Sequence, residues 1–496
     1  MGRYQDALEY IYSFVSHEKH ARYGDGAAAL GLERMYGLLE RLGRPQDRFR
    51  CVHIAGTKGK GSTSAMTEAV LRAAGYRTGL YTSPHLHTFR ERIRLNGALM
   101  TKSEVVELLA ELRPAFDATP GINTFEIMTA LAFAFFARRG VEWAVIEVGL
   151  GGRLDPTNVV APAACAITSI SFDHMDLLGP TLDLIAREKA GIIKPGVPVV
   201  SAPQAPEALA VIEQTAARQN SPFILIGRDW TISCRQADLE GQTVMVRQVG
   251  RERGDSGRPP TWDASDLADL RIPLTGAHQL DNTATAIGLL AELRDQGVAI
   301  GADALRRGLA ATRWPGRFEL LNRRPDIVAD CAHNGDSALR LRETLARFYP
   351  ATPGRRLWLV FGASVDKDIE AMLRALLLPT PTDTYPVPAG VVMTRSGHPR
   401  QADPGRLADL ARAIAPQMPV AVSDSLDEAL ADVLARATAD DVVCVTGSIF
   451  VVAQARRAWA ADHKEAFAAD DWVFQDETPG QPVPDDVTEV EVAWHI

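Results

Sequence analysis

The stretch Val52-His-Ile-Ala-Gly-Thr-Lys-Gly-Lys-Gly-Ser-Thr63 constrains this chain more than any other. Cys51 to Ala55 is a short apolar run of the kind that forms a buried strand. It breaks into a loop carrying Gly56, Gly59 and Gly61, and a helical pattern then runs from Ser62 to Ala74. Strand, glycine loop and helix in that order turn backbone N–H groups and the positive end of a helix dipole toward one point, which is how a backbone holds an anion. Lys60 is placed to reach the outer phosphates of a nucleotide, and Ser62 or Thr63 can offer a hydroxyl to phosphate or to Mg²⁺. Gly61 separates Lys60 from Ser62, where the usual P-loop has lysine and hydroxyl adjacent. A plain glycine-rich turn is the competing reading, but the strand before the loop and the lysine inside it favour ATP or a similar nucleotide.

Downstream, apolar strand-like runs alternate with helical patterns: Thr78–Thr82, a helix over Phe125–Ala137, Ala144–Val148, Ala164–Ile170, a helix over Leu182–Ala190, and Val197–Ser201. Such alternation predicts an α/β fold with a doubly wound, mostly parallel sheet. Residues 1–49 read as amphipathic helices. Trp230–Val249 reads as a hairpin, and Gly250–Pro260 has the composition of a mobile loop. At Arg313-Trp-Pro-Gly-Arg317 the pattern restarts, with strands at Ile327–Cys331, Leu357–Phe361, Val391–Thr394 and Val442–Thr446 between helices. The expected organisation is a P-loop domain over 1–312, a smaller Rossmann-like α/β domain over 313–464, and a flexible acidic tail over 465–496.

Charge supports the separate tail. Beyond Lys464 there is no Lys or Arg and there are nine acids, so the remainder is balanced at 53 of each sign. A balanced body argues against a nucleic-acid surface. The five cysteines are scattered, with no CxxC pair, and read as small buried hydrophobes rather than zinc ligands or a disulfide framework. The longest apolar stretch, Ile127–Ala137, is too short to span a bilayer and the N-terminus lacks an apolar signal core, which predicts a cytoplasmic protein without a membrane partner.

Several positions carry candidate chemistry. Glu147 ends a strand just before Gly149-Leu-Gly-Gly-Arg-Leu-Asp155, where a carboxylate beside a P-loop reaches Mg²⁺ directly or through water. Asp173-His174 follows the next strand and delivers polar groups to the same edge. Arg90, Arg92 and Arg94 fit either a solvated loop or an anion clamp. The polar loop His17–Gly26 fits either a plain connection or a substrate contact.

With these motifs go Ser83-Pro-His-Leu86, Glu188-Lys-Ala-Gly-Ile192, His278-Gln279, Pro315-Gly-Arg-Phe318, Asp330-Cys-Ala-His-Asn334 and Thr446-Gly-Ser448. In that order, from about residue 20 to about 460, the sequence resembles the Mur ligase superfamily and, within it, the folylpolyglutamate/dihydrofolate synthase family. The resemblance implies an ATP-dependent ligase that joins L-glutamate to a folate or to dihydropteroate through an acyl phosphate, releasing ADP. A different Mur-type amide ligase, or a P-loop ATPase without ligase activity, are the alternatives. It implies ATP contacts from Gly56, Thr57, Gly59, Lys60, Gly61, Ser62, Asn282, Arg317, Asp330 and His333, the last equally open to a structural role. It implies Mg²⁺ at Ser83, Glu147 and His174, and catalytic roles for Lys60, His174 and Lys189, with Lys189 carrying a carbamate derived from CO₂. Ala28, Ala29, Leu30, Thr124, Phe125, Glu126, Arg153 and Asp155 fall near the folate. Ala27-Ala-Ala-Leu30 offers few polar groups there, which favours polyglutamylation over dihydropteroate. The expected partners are these small molecules alone, bound by a monomer.

Overall fold

The computed structural model describes residues 3–14, 29–249, 262–380 and 384–475, without the side chains of residues 29–31. Its first sheet has eight strands: β1 (Arg50–Ala55), β2 (Thr78–Tyr81), β3 (Ile93–Leu95), β4 (Ala98–Leu99), β5 (Trp143–Glu147), β6 (Ala164–Ile167), β7 (Val199–Ser201) and β8 (Phe223–Leu225). They lie in the order β4-β3-β2-β5-β1-β6-β7-β8, and only the β2-β3-β4 edge is antiparallel. From β1 the chain goes first to β2 on one side and returns through β5 to β6 on the other. The carboxyl end of β1 is thus the switch point where a doubly wound sheet opens a crevice for ligand.

Both faces of this sheet are covered, as an all-buried parallel ladder requires. On one face, side chains of the helices Tyr4–Ser13, Ala29–Arg41, Lys102–Asp117 and Thr124–Arg138 form one core with Phe133, Phe136 and Ile146 at its centre. On the other, the helices Lys60–Ala73, His278–Asp295 and Ala302–Ala310 pack with a three-stranded sheet of β9 (Trp230–Asp238), β10 (Gly241–Gln248) and β11 (Leu270–Ile272). The hairpin predicted over 230–249 is β9–β10. Its third strand gives no sequence signal beyond three residues. The polar run Gly250–Pro260 lies outside the described residues except for its flanks.

The second sheet is built from β12 (Glu319–Asn322), β13 (Asp326–Asp330), β14 (Leu357–Phe361), β15 (Gly390–Met393), β16 (Val420–Val422) and β17 (Val442–Thr446), in the order β12-β13-β17-β14-β15-β16. All but β12 run parallel. Its carboxyl edge meets the P-loop across a cleft. Arg456 of the second part contacts His87 of the first at 2.6 Å. Residues 465–475, the start of the expected flexible tail, fold back with Asp471 2.9 Å from Arg456. Residues 476–496 lie outside the described residues. No helix among the described residues is long and apolar enough to cross a membrane.

Candidate active site

The P-loop leaves β1 and enters the helix Lys60–Ala73 through Gly59, which sits at φ +90° as its N-cap. A side chain there would put its Cβ 2.0 Å from Asn282 Oδ1, so glycine is required both for the backbone and for the neighbour. The interposed Gly61 has a similar reason, since a Cβ there would lie 2.4 Å from Trp314 Cζ2. The amides of Thr57 and Lys58 donate to the Ser169 carbonyl, at 2.9 and 3.1 Å, and Thr63 N already donates to Gly59 O within the helix. The anion cradle therefore narrows to the first turn, Lys60 to Ser62, whose N–H groups precede any intrahelical acceptor. The Thr57 hydroxyl donates to Ser171 O at 3.2 Å and pins the loop to the segment after β6.

Two lysines converge on one carbonyl. Lys60 Nζ donates to Gly56 O at 3.2 Å and Lys189 Nζ donates to the same oxygen at 2.9 Å. Lys189 is buried at the end of the helix Leu182–Ala190, and burial, aided by Lys60, brings its amine down to about 7. Glu147, at the end of β5, lies 4.0 Å from Lys60 and accepts from Ser83 N at 3.2 Å. Burial pushes the Glu147 carboxyl up to about 7 against the pull of Lys60, Arg317 and Arg94.

A second cluster spans the cleft. Lys58 Nζ lies 2.9 Å from Asp173 Oδ2 and 2.8 Å from His333 Nε2, while Lys367 Nζ reaches Asp173 Oδ1 at 3.4 Å. Burial alone would raise the Asp173 carboxyl, but Lys58, His174, Lys367 and His333 hold it well below the usual range. His333 Nδ1 sits 2.8 Å from Cys331 O, so that nitrogen donates and Nε2 accepts from Lys58. The sequence reading gives neither Lys58 nor Lys367 a role in the site; neither spacing nor composition links residues 58, 173, 333 and 367.

The remaining expected residues divide plainly. Asn282 lies against Gly59 and donates to Gln279 Oε1 at 2.9 Å. Arg317 follows the Trp314-Pro-Gly turn and faces both Glu147 and Asp330. Asp330 has both oxygens on backbone, Phe318 N at 2.8 Å and Ala332 N at 2.9 Å, so it shapes the loop that carries Arg317. Phe125, Ser83 and Asp155 meet around Gly149, whose Cβ would lie 3.9, 3.7 and 3.3 Å from them. Thr124 donates to the carbonyls of Ile11 and Phe14, and Glu126 closes a capping box with Asn123 while pairing with Arg34 at 2.9 Å. Arg153 pairs with Glu188 at 2.8 Å. Ala28 and the side chains of Ala29 and Leu30 lie outside the described residues.

The Arg90–Arg94 run is neither a solvated loop nor an open clamp. All three arginines are buried: Arg92 donates to His85 Nδ1 at 2.9 Å, Arg94 to Glu91 O at 2.9 Å, and Arg90 to the carbonyls of Met100 and Gln475. Glu91 accepts from the amides of Leu86, His87 and Thr88 and fixes the turn before them.

The Mur ligase middle domain matches residues 54–290, and the Mur ligase glutamate ligase domain matches residues 316–449. The dihydrofolate synthase/folylpolyglutamate synthase of Bacillus subtilis is 40% identical over 75% of this chain and 82% of its own length. A probable bifunctional folylpolyglutamate synthase/dihydropteroate synthase of Halobacterium salinarum is 38% identical over 93% of this chain, which spans only 52% of that relative. The structure of Mycobacterium tuberculosis folylpolyglutamate synthase complexed with ADP superposes with a TM-score of 0.78 at 32% identity, covering 92% of this chain and 99% of that one. The chain belongs to the Mur ligase family, among its folylpolyglutamate and dihydrofolate synthases.

Proposed function

We propose that the chain is an ATP-dependent ligase that adds L-glutamate to a tetrahydrofolate or folylpolyglutamate, with dihydropteroate as a second acceptor, and releases ADP and phosphate. The convergence of Lys60 and Lys189 on the Gly56 carbonyl carries this reading. Lys60 supplies positive charge that a transferring phosphoryl group complements, and Lys189, whose amine burial brings down to about 7, stands beside it as the group open to carbamate formation. In the reaction an acceptor carboxylate oxygen attacks the γ-phosphorus of ATP, and the bond to the β–γ bridging oxygen breaks as ADP leaves. The glutamate amine then attacks the acyl carbon, the C–O bond to phosphate breaks, and the amine proton is lost as the amide forms.

In this reading Lys60 and the first-turn amides hold the phosphates, Asn282 braces Gly59, and Arg317 reaches across the cleft to the same charge. Phe125, Arg153 and Asp155 border the acceptor, beside Thr124 and Glu126, which hold the wall behind it. The domains act as 1–312 and 313–464, closing over the nucleotide in a cytoplasmic monomer, and closure excludes water from the acyl phosphate.

Mg²⁺ fits Ser83 and Glu147, a hydroxyl and a carboxylate joined by the Ser83 N contact, because Mg²⁺ takes hard oxygens and keeps several waters. Among the described residues no group of three His, Cys, Asp or Glu gathers as metal ligands, so His174 would belong to a looser position near Asp173. When bound, the ion would neutralise charge on the transferring phosphoryl group. The Lys189 carbamate fits the same chemistry. Its formation needs a neutral amine to attack CO₂ with loss of a proton, and burial supplies that amine near pH 7.

Oxygen-18 in the acceptor carboxylate tests the acyl-phosphate step. One labelled oxygen should appear in the released phosphate; unlabelled phosphate alongside amide product would rule the step out.

A further inference from the structure

The helix Ile449–Asp462 ends at His463, and the next dozen residues turn back over the cleft instead of leaving the protein. Asp471 anchors the return: its carboxylate lies 2.9 Å from Arg456 Nη2 and caps Val473 N at 2.9 Å. Arg456 is fully buried and also binds Glu319 Oε2 at 2.9 Å and His87 Nε2 at 2.6 Å, so this anchor touches both domains at once. Asp470 pairs with Arg313 at 2.7 Å, Phe467 meets Phe474 edge-on at 6.0 Å, and the Gln475 carbonyl accepts from Arg90.

These anchors deliver one side chain. Trp472 packs edge-on against Trp314 at 6.0 Å and 85°, and the Arg94 guanidinium lies over both rings, 4.3 Å from Trp472 and 4.8 Å from Trp314. Trp314 is the ring that occupies the space a Gly61 side chain would need, against the first turn of the P-loop helix. Arg94 also faces Glu147. A continuous stack therefore runs from Trp472 through Trp314 to Gly61, and through Arg94 toward Glu147.

We propose that residues 467–475 form a strap in which Trp472 is a positioning residue for the nucleotide site, holding Trp314 on Gly61 and Arg94 beside Glu147. The proposal rests on reading the P-loop as a nucleotide site. The strap acts through Trp314 and Arg94, so its loss weakens nucleotide binding without removing a catalytic group. Aromatic and cation–π contacts of this kind set the expected size, about five- to tenfold in affinity.

The test is ADP binding by calorimetry on the full chain, with the KM for ATP measured in parallel. Trp472→Ala should weaken ADP binding about five- to tenfold and raise the KM for ATP by a like factor, with kcat within about twofold. Trp472→Phe should restore most of both, because a ring can still cover Trp314 and Arg94, and a chain ending at residue 475 should match the full protein. A folded Trp472→Ala protein that binds ADP as tightly as the parent overturns the strap. If Trp472→Ala does not fold, Trp472→Leu takes its place and must show the same loss, since Leu fills space without a π-face. A parent protein that fails to bind ADP at all overturns the nucleotide reading instead.

Discussion

Lys58 Nζ stands 2.9 Å from Asp173 on the first sheet's side of the cleft and 2.8 Å from His333 on the second sheet's side, so one ammonium ties the P-loop to both domains. Replacing it by Met removes two charge-assisted hydrogen bonds, each worth about 1.5–3 kcal/mol. Steady-state kinetics of Lys58→Met should show kcat/KM for ATP lower by about 10- to 100-fold.

The same residue predicts a pH effect. Burial, reinforced by Lys60 and Lys367, lowers the Lys58 ammonium to about 8 despite Asp173. Above that pH the proton is lost and the donor to His333 and Asp173 weakens, so kcat/KM should fall as pH rises through about 8. Lys58→Arg, which stays charged, should remove that fall. The stability contribution has the opposite sign. Between about 8 and the usual 10.5 the unfolded chain holds more protons than the folded one at this position, so folding stability rises with pH there.

Lys189→Ala should lose at least about 100-fold in kcat, the scale for removing a group that stabilises charge in the transition state. A small free carboxylate such as acetate can enter the space left by the side chain and stand in for the carbamate. Acetate should therefore restore part of the activity of Lys189→Ala and none of that of Lys60→Ala. Failure of acetate to restore any activity would leave Lys189 as a plain cation.

Arg456 predicts a stability loss. It is fully buried and paired with Glu319 and Asp471, so Arg456→Met strands two carboxylates and should cost about 3–5 kcal/mol in urea unfolding. Arg340 and Glu343 are as close, at 3.1 Å, but both are about half exposed, so Arg340→Ala should cost less than about 1 kcal/mol. Equal effects would mean that burial does not govern these pairs.

Gly61→Ala forces a methyl to within 2.4 Å of the Trp314 ring unless that ring moves. Overpacking of this kind costs about 1–3 kcal/mol. ADP affinity should fall by about tenfold or more, and Gly59→Ala, with positive φ and Asn282 in the way, should lose more.

Much of this architecture is legible before any coordinates. The helix Leu182–Ala190 and the strands Leu357–Phe361 and Val442–Thr446 have the bounds their apolar patterns give, because periodicity and burial agree there. The β3–β4 edge and β11 are not legible, being two or three residues long and fixed by pairing rather than propensity. In the site, the glycine loop and Glu147 stand where local order puts them. The Lys58–His333 bridge does not follow from local order, since it joins residues 275 positions apart. Arg90 to Arg94 mislead for a related reason: three arginines in five residues fit a solvated loop or an anion clamp, while His85, Thr82, Met100 and Gln475 supply buried partners from outside the run.

The central claim is tested most directly by ADP release with ATP, Mg²⁺ and L-glutamate, comparing tetrahydrofolate with dihydropteroate as acceptor. ADP release should require glutamate together with an acceptor, proceed faster with tetrahydrofolate than with dihydropteroate, and match amide formed mole for mole. ADP released equally without glutamate or acceptor, by protein that binds ADP, would contradict the ligase reading and leave a P-loop ATPase.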